Sequence, residues 1–113
     1  MKPIKLSELK SEATSHGGIE KLSKKVMLRK GEIPHLNQFA QAYFEPGAVA
    51  PKHKHDDMYE IFLVEKGEIE FIINEKPILL KVGDAITVEP GEFHEVRNKS
   101  KGIAIMTYFQ INK

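Results

Sequence analysis

From Leu36 onward, apolar and polar residues alternate in short runs, and each run stops near Gly, Pro or Asn. Successive side chains of a strand point to opposite faces, so a period of two marks half-buried β-strands. The pattern predicts strands over residues 37–45, 53–55, 60–66, 68–73, 76–81, 85–88, 94–98 and 103–110. Pro46-Gly47, Lys66-Gly67, Asn74-Glu75, Val82-Gly83-Asp84 and Pro90-Gly91 punctuate them, which is the spacing of an antiparallel sandwich or barrel. The expected fold is all-β.

Residues 1–30 read differently. A helical turn is predicted over residues 6–12 and a strand over 25–29, with Gly17 and Gly18 breaking any continuous helix. This segment is expected to form an N-terminal arm, and residues 31–113 a single barrel domain. Residues 20–30 are rich in lysine but hold no aromatic residue for base stacking. A solvated face is therefore expected there, and no nucleic-acid partner.

Composition narrows the function classes. A chain of 113 residues with 41% hydrophobic content supports one core without covalent staples. Seventeen basic against 16 acidic residues give a net charge of +1, so no long-range field marks a nucleic acid or membrane surface as partner. No apolar run has signal-peptide or transmembrane length, and a cytoplasmic location without membrane association is expected. Cysteine is absent, which removes thiolate chemistry and leaves histidine and carboxylate as metal ligands. Asn98-Lys99-Ser100 forms a glycosylation sequon; without a secretory signal it reads as coincidence.

Strand parity puts His53 and His55 on one face and Lys54 on the other. Glu60 follows the turn at residues 56–59, and a hairpin there is expected to fold its carboxylate back over the histidine pair. His94, after Pro90-Gly91, is expected to face that pair across a barrel lumen. Spacing alone leaves a metal site and an ordinary surface histidine pair as equal readings.

At larger scale the chain resembles the cupin superfamily. Gly47, His53, His55, Glu60 and Gly67 meet every position of the pattern G(x)5HxH(x)4E(x)6G. Gly83, Gly91, His94 and Asn98 meet G(x)5PxG(x)2H(x)3N, with Glu89 at the proline position and the proline one residue later at Pro90. The resemblance implies a jelly-roll (double-stranded β-helix) barrel of the RmlC-like kind. It also implies metal ligation by His53, His55, Glu60 and His94, and a homodimer in which the arm takes part. Three imidazoles and a carboxylate suit Fe, Mn, Ni, Zn or Cu as a divalent ion, without choosing among them.

With Glu60 inward, Phe62 and Val64 are expected to line the pocket, and with His94 inward, Val96. On the first and last barrel strands the register is open. Tyr43 with Gln41, or else Ala40, Ala42 and Phe44, faces inward; Met106 with Tyr108, or else Ile105 and Thr107. His16 and His35 lie outside the motifs and read as surface residues, as do Asp56 and Asp57; Tyr59 reads as exterior packing. Only two arginines occur, Arg29 and Arg97, and neither is placed in the pocket. A mainly neutral, metal-chelating small molecule is therefore the expected ligand. The leading expectation is a metal-dependent enzyme of dioxygenase, isomerase or lyase type, and the alternative a non-catalytic binding or sensing protein.

Overall fold

The computed structural model describes residues 1–16 and 21–113; Gly17, Gly18 and Glu20 lie outside the described residues. After a single 3-10 turn at Leu6–Glu8, the described chain is built of strands: β1 (Glu12–Ala13), β2 (Leu22–Arg29), β3 (Leu36–Phe44), β4 (Val49–His53), β5 (Met58–Lys66), β6 (Glu68–Ile73), β7 (Lys76–Lys81), β8 (Ala85–Val88), β9 (His94–Arg97) and β10 (Ala104–Asn112). Six form one antiparallel sheet in the order β1-β2-β3-β10-β5-β8, and four form a second in the order β4-β9-β6-β7. Among the described residues, no helix is long and apolar enough to cross a membrane.

The core is made by the inner faces of the two sheets. Ala40, Ala42, Phe44, Phe62, Val64 and Met106 come from the six-stranded sheet, and Ile69, Phe71 and Val96 from the other. Alternation is strict along β5, where Glu60, Phe62 and Val64 are buried while Tyr59, Ile61 and Leu63 are exposed. On β3 the open register resolves toward Ala40, Ala42 and Phe44. Tyr43 therefore sits on the outer face, its hydroxyl donating to Gln41 Oε1, and it is not a pocket residue. Met106 and Tyr108 are the inward pair of β10.

Two differences from the sequence reading concern how the site is placed. Strand β4 ends at His53, so His55 lies beyond it in the connection to β5. That connection is no hairpin: β4 pairs with β9, and β5 pairs with β10 and β8, so the chain crosses from one sheet to the other. The strand expected within the arm is present and longer. Strand β2 pairs with β3 inside the six-stranded sheet and sends Leu22 and Val26 into the core.

Turn chemistry fixes the joins. Asn74 and Glu75 both have positive φ between the paired ends Ile73 and Lys76, as a two-residue hairpin of matching twist requires. At Gly67, φ is +72°, and a Cβ would come within 2.5 Å of the Ile103 carbonyl oxygen. Asn98, 1% exposed, ties the loop after β9 to β3. Its Nδ2 donates to the Phe44 and Gly102 carbonyls, and its Oδ1 accepts from the Ser100 amide and hydroxyl. The sequon asparagine is thus structural and enclosed.

Candidate metal centre

Four side chains converge in the wall of a cavity of about 210 Å³ between the sheets. His53 and His94 are cross-strand partners on β4 and β9, with ring centroids 4.1 Å apart. His94 is therefore the neighbour of His53, not its opposite across the lumen. The group that faces them from the other sheet is Glu60 on β5. His55 closes the cluster from the crossing segment, 5.2 Å from His53 and 5.9 Å from His94 between centroids. One ligand atom from each of the four lies within 4.8 Å of every other.

Hydrogen bonding aims these atoms inward. The Nδ1 of His53 lies 2.7 Å from the Pro51 carbonyl, and the Nδ1 of His94 3.1 Å from the Glu92 carbonyl. A carbonyl only accepts, so both rings carry a proton on Nδ1, and each ring when neutral presents a bare Nε2 lone pair. Gln110 Nε2 donates to Glu60 Oε2 at 2.9 Å, which turns Oε1 toward the histidines. Glu60 Oε1 and His94 Nε2 are fully enclosed, lie 3.1 Å apart and make no hydrogen bond.

With the His94 ring neutral, these are two buried acceptors facing each other, which is costly in an apolar wall. A positive charge at that point removes the cost, either a proton on His94 or a metal ion held by the whole group. Three nitrogens and one carboxylate oxygen also match the donor preference of divalent first-row transition ions, whose ligand bonds of about 2.1 Å need donors about 3 to 4 Å apart. The group can hold such an ion with small side-chain shifts.

The titration behaviour follows from burial and neighbours. Burial pushes His53 down to about 4, only partly offset by the Pro51 carbonyl, so its ring is neutral at ordinary pH. Burial also opposes charge on His94, but Glu60 and the Glu92 carbonyl outweigh it and raise His94 above the usual histidine value. At Glu60, burial favours the neutral acid, and the facing His94 and the Gln110 amide reverse that, leaving its pKa lowered.

The fold and this cluster agree with what the chain is similar to. Its residues 41–109 match the Cupin domain family, more than half of the sequence and the whole span of the four ligand positions. The chain belongs to the cupins. Among curated proteins, this cupin is 34% identical over 77 residues to the oxalate-binding protein of Thermotoga maritima, a match covering 68% of this chain. The matched part spans only 60% of that protein's length. Among solved structures, a Thermotoga maritima protein described as a predicted oxalate decarboxylase superposes with a TM-score of 0.91 at 26% identity, covering 99% of this chain and 100% of the other. The polyketide cyclase RemF of Streptomyces resistomycificus, 17% identical, shares the fold with a TM-score of 0.84 over 98% of this chain and 79% of its own.

Of the residues expected in the pocket, Phe62, Val96 and Tyr108 line the cavity of this cupin, whereas Val64 and Met106 are buried in the core without reaching it. Sequence reasoning missed four contributors: Gln110, His16, Lys24 and Gln38. Gln110 orients Glu60 as described. His16, expected at the surface, is half-buried with its ring 4.2 Å from that of His53, and burial lowers its pKa. Lys24 also lines the cavity, together with Gln38, so the pocket is not short of cations. A parity signal was available for Lys24: it occupies the inward position between Leu22 and Val26, where alternation calls for an apolar residue. No local signal marked His16.

Proposed function

We propose that this cupin holds one divalent transition-metal ion on His53, His55, Glu60 and His94 and uses it to bind a small carboxylate chelate, with oxalate as the first compound to try. The carrying observation is the enclosed pair Glu60 Oε1 and His94 Nε2, 3.1 Å apart without a hydrogen bond. Two further facts support the carboxylate: the name of the Thermotoga maritima relative, and Lys24 in the cavity wall. A bound ion supplies Lewis-acid attraction for the ligand's oxygen atoms. The chain supplies orientation and exclusion of water. His53 and His94 are held through their Nδ1 protons, Glu60 through Gln110, and Phe62, Phe44 and Val96 wall the cavity.

Binding without turnover is placed first because the described cavity lining contains no carboxylate besides Glu60 to take or give a proton. The enzymatic reading, of dioxygenase, isomerase or lyase type, draws on His16, which burial keeps uncharged beside His53 and whose ring would serve as a proton acceptor at the cavity wall. Calorimetric titration of metal-loaded protein with oxalate, followed by chemical analysis of the recovered ligand, separates the two. Unchanged oxalate supports binding, products support the enzyme, and no heat in the loaded protein removes the carboxylate reading.

The homodimer implied by the cupin resemblance is kept as a proposal. Its support is an apolar row across the outer face, where Leu28, Phe39, Phe109 and Ile61 are register neighbours on four adjacent strands and Phe39 stacks on Phe109 at 4.6 Å. Exposed apolar stretches of this kind commonly mark association surfaces.

A further inference from the structure

We propose that Lys24 is the charge-recognising group of the cavity, and that the ligand is a small dicarboxylate dianion bound between the metal group and Lys24. The inference rests on the metal-anchored binding proposed above and narrows its ligand class.

Lys24 is the register partner of Ala42, and both line the cavity; cross-strand partners share a face of the sheet. Lys24 is half-buried at a core-parity position, where alternation calls for an apolar residue, so its ammonium is aimed at the cavity rather than away from the sheet. Among the described residues, its Nζ has one hydrogen-bond partner, the neutral Gln38 Oε1 at a long 3.4 Å. Glu12 on β1 is opposite Lys24 in register and attracts it, but the hydrogen bonds of its carboxylate go to Arg29. Gln38 Oε1 also accepts from the Tyr108 hydroxyl, and burial raises the pKa of Tyr108 so that the hydroxyl keeps its proton. With Oε1 doubly engaged, the Gln38 amide group is left as a donor beside the ammonium.

The charges count the same way. A divalent ion set against the single negative charge of Glu60 leaves one positive charge in the cavity, and Lys24 adds a second. A monoanion leaves one uncompensated, and a neutral chelator leaves both, in a wall that is mostly apolar. A dianion of two to four carbons balances both charges and suits a cavity of about 210 Å³.

The test is calorimetry on Mn(II)-loaded wild type, Lys24→Met and Lys24→Arg, each titrated with oxalate and with the monoanion glycolate, alongside metal analysis. Methionine suits an inward strand position, so folding is retained, and arginine restores the charge. The proposal expects Lys24→Met to weaken oxalate by about tenfold or more, the loss of a charged hydrogen bond. It expects glycolate to change less than about threefold, metal content to stay equal, and Lys24→Arg to recover most of the oxalate affinity. Equal losses for both ligands, or none for oxalate, overturn it while leaving metal-anchored binding standing. Wild type that takes up metal but binds neither ligand overturns both.

Discussion

Glu60 on β5 and His94 on β9 meet across the gap between the two sheets, Oε1 3.1 Å from Nε2, and each is held from behind by a partner that cannot serve the other. Gln110 holds the carboxylate and the Glu92 carbonyl holds the ring. The β-sandwich thus brings two unsatisfied donors of electron pairs to one point, with His53 beside His94 by register and His55 delivered by the crossing segment.

Gln110 acts through Glu60. Replacing Gln110 by Leu frees Glu60 Oε2 to rotate and is expected to lower metal affinity by about 10- to 100-fold, the usual cost of losing a partner behind a ligand. Competition against a fluorescent chelator measures it. Affinity equal to wild type would remove Gln110 from the site.

Asn98 saturates both ends of its amide inside the protein. Asn98→Ala leaves enclosed carbonyls without donors and is expected to destabilise the fold by about 2 to 3 kcal/mol, read from urea unfolding with an unchanged slope. A change below about 0.5 kcal/mol would mean that the loop after β9 is held by something else.

Acid should remove the metal as protons compete for its ligands, with His94 and His53 entering at different pH. His94 binds a proton above the ordinary histidine range and competes first, so apparent affinity falls about tenfold per pH unit below its pKa. His53 adds a second proton only near its value of about 4. In the metal-free protein the signs differ. The His94 contribution to stability is complete below about pH 6.5 and fades as pH rises through the folded value, while His53 costs stability as pH falls from about 6.5 toward 4. Metal titrations between pH 4 and 8 with the His53 ring followed by NMR check this; a His53 ring that takes up its proton already near pH 6 in the metal-free protein would contradict its burial.

The convergence of the four candidate ligands was legible because the cupin spacing is local: Gly47, Gly67, Gly83 and Gly91 all have positive φ at the turns, which sets where His53, Glu60 and His94 fall on their strands. The alternation of β5 was legible for the same reason. What escaped was non-local. Whether Glu60 returned by a hairpin or came from the opposite sheet depends on which strands pair, and period-two alternation is blind to pairing. Tyr43 was one of two parities that differ by a single residue. His16 reaches His53 because β1 and β2 join the main sheet, and Lys24 was read as part of a basic stretch before its place on an inward face was known.

If the outer row is an association surface, Phe109→Lys should give a monomer by sedimentation at concentrations where wild type is a dimer, with metal content intact, because Phe109 points away from the core. Monomeric wild type would remove the homodimer.

The central claim is that these four side chains hold one ion. Elemental analysis of protein purified without added metal, then titrated with Mn(II), tests it most directly on wild type and the double variant His53→Ala, His94→Ala. The account predicts close to one equivalent bound in wild type and none in the variant, with both chains folded by circular dichroism. A folded variant that binds metal like wild type, or a wild type that binds none, would contradict it.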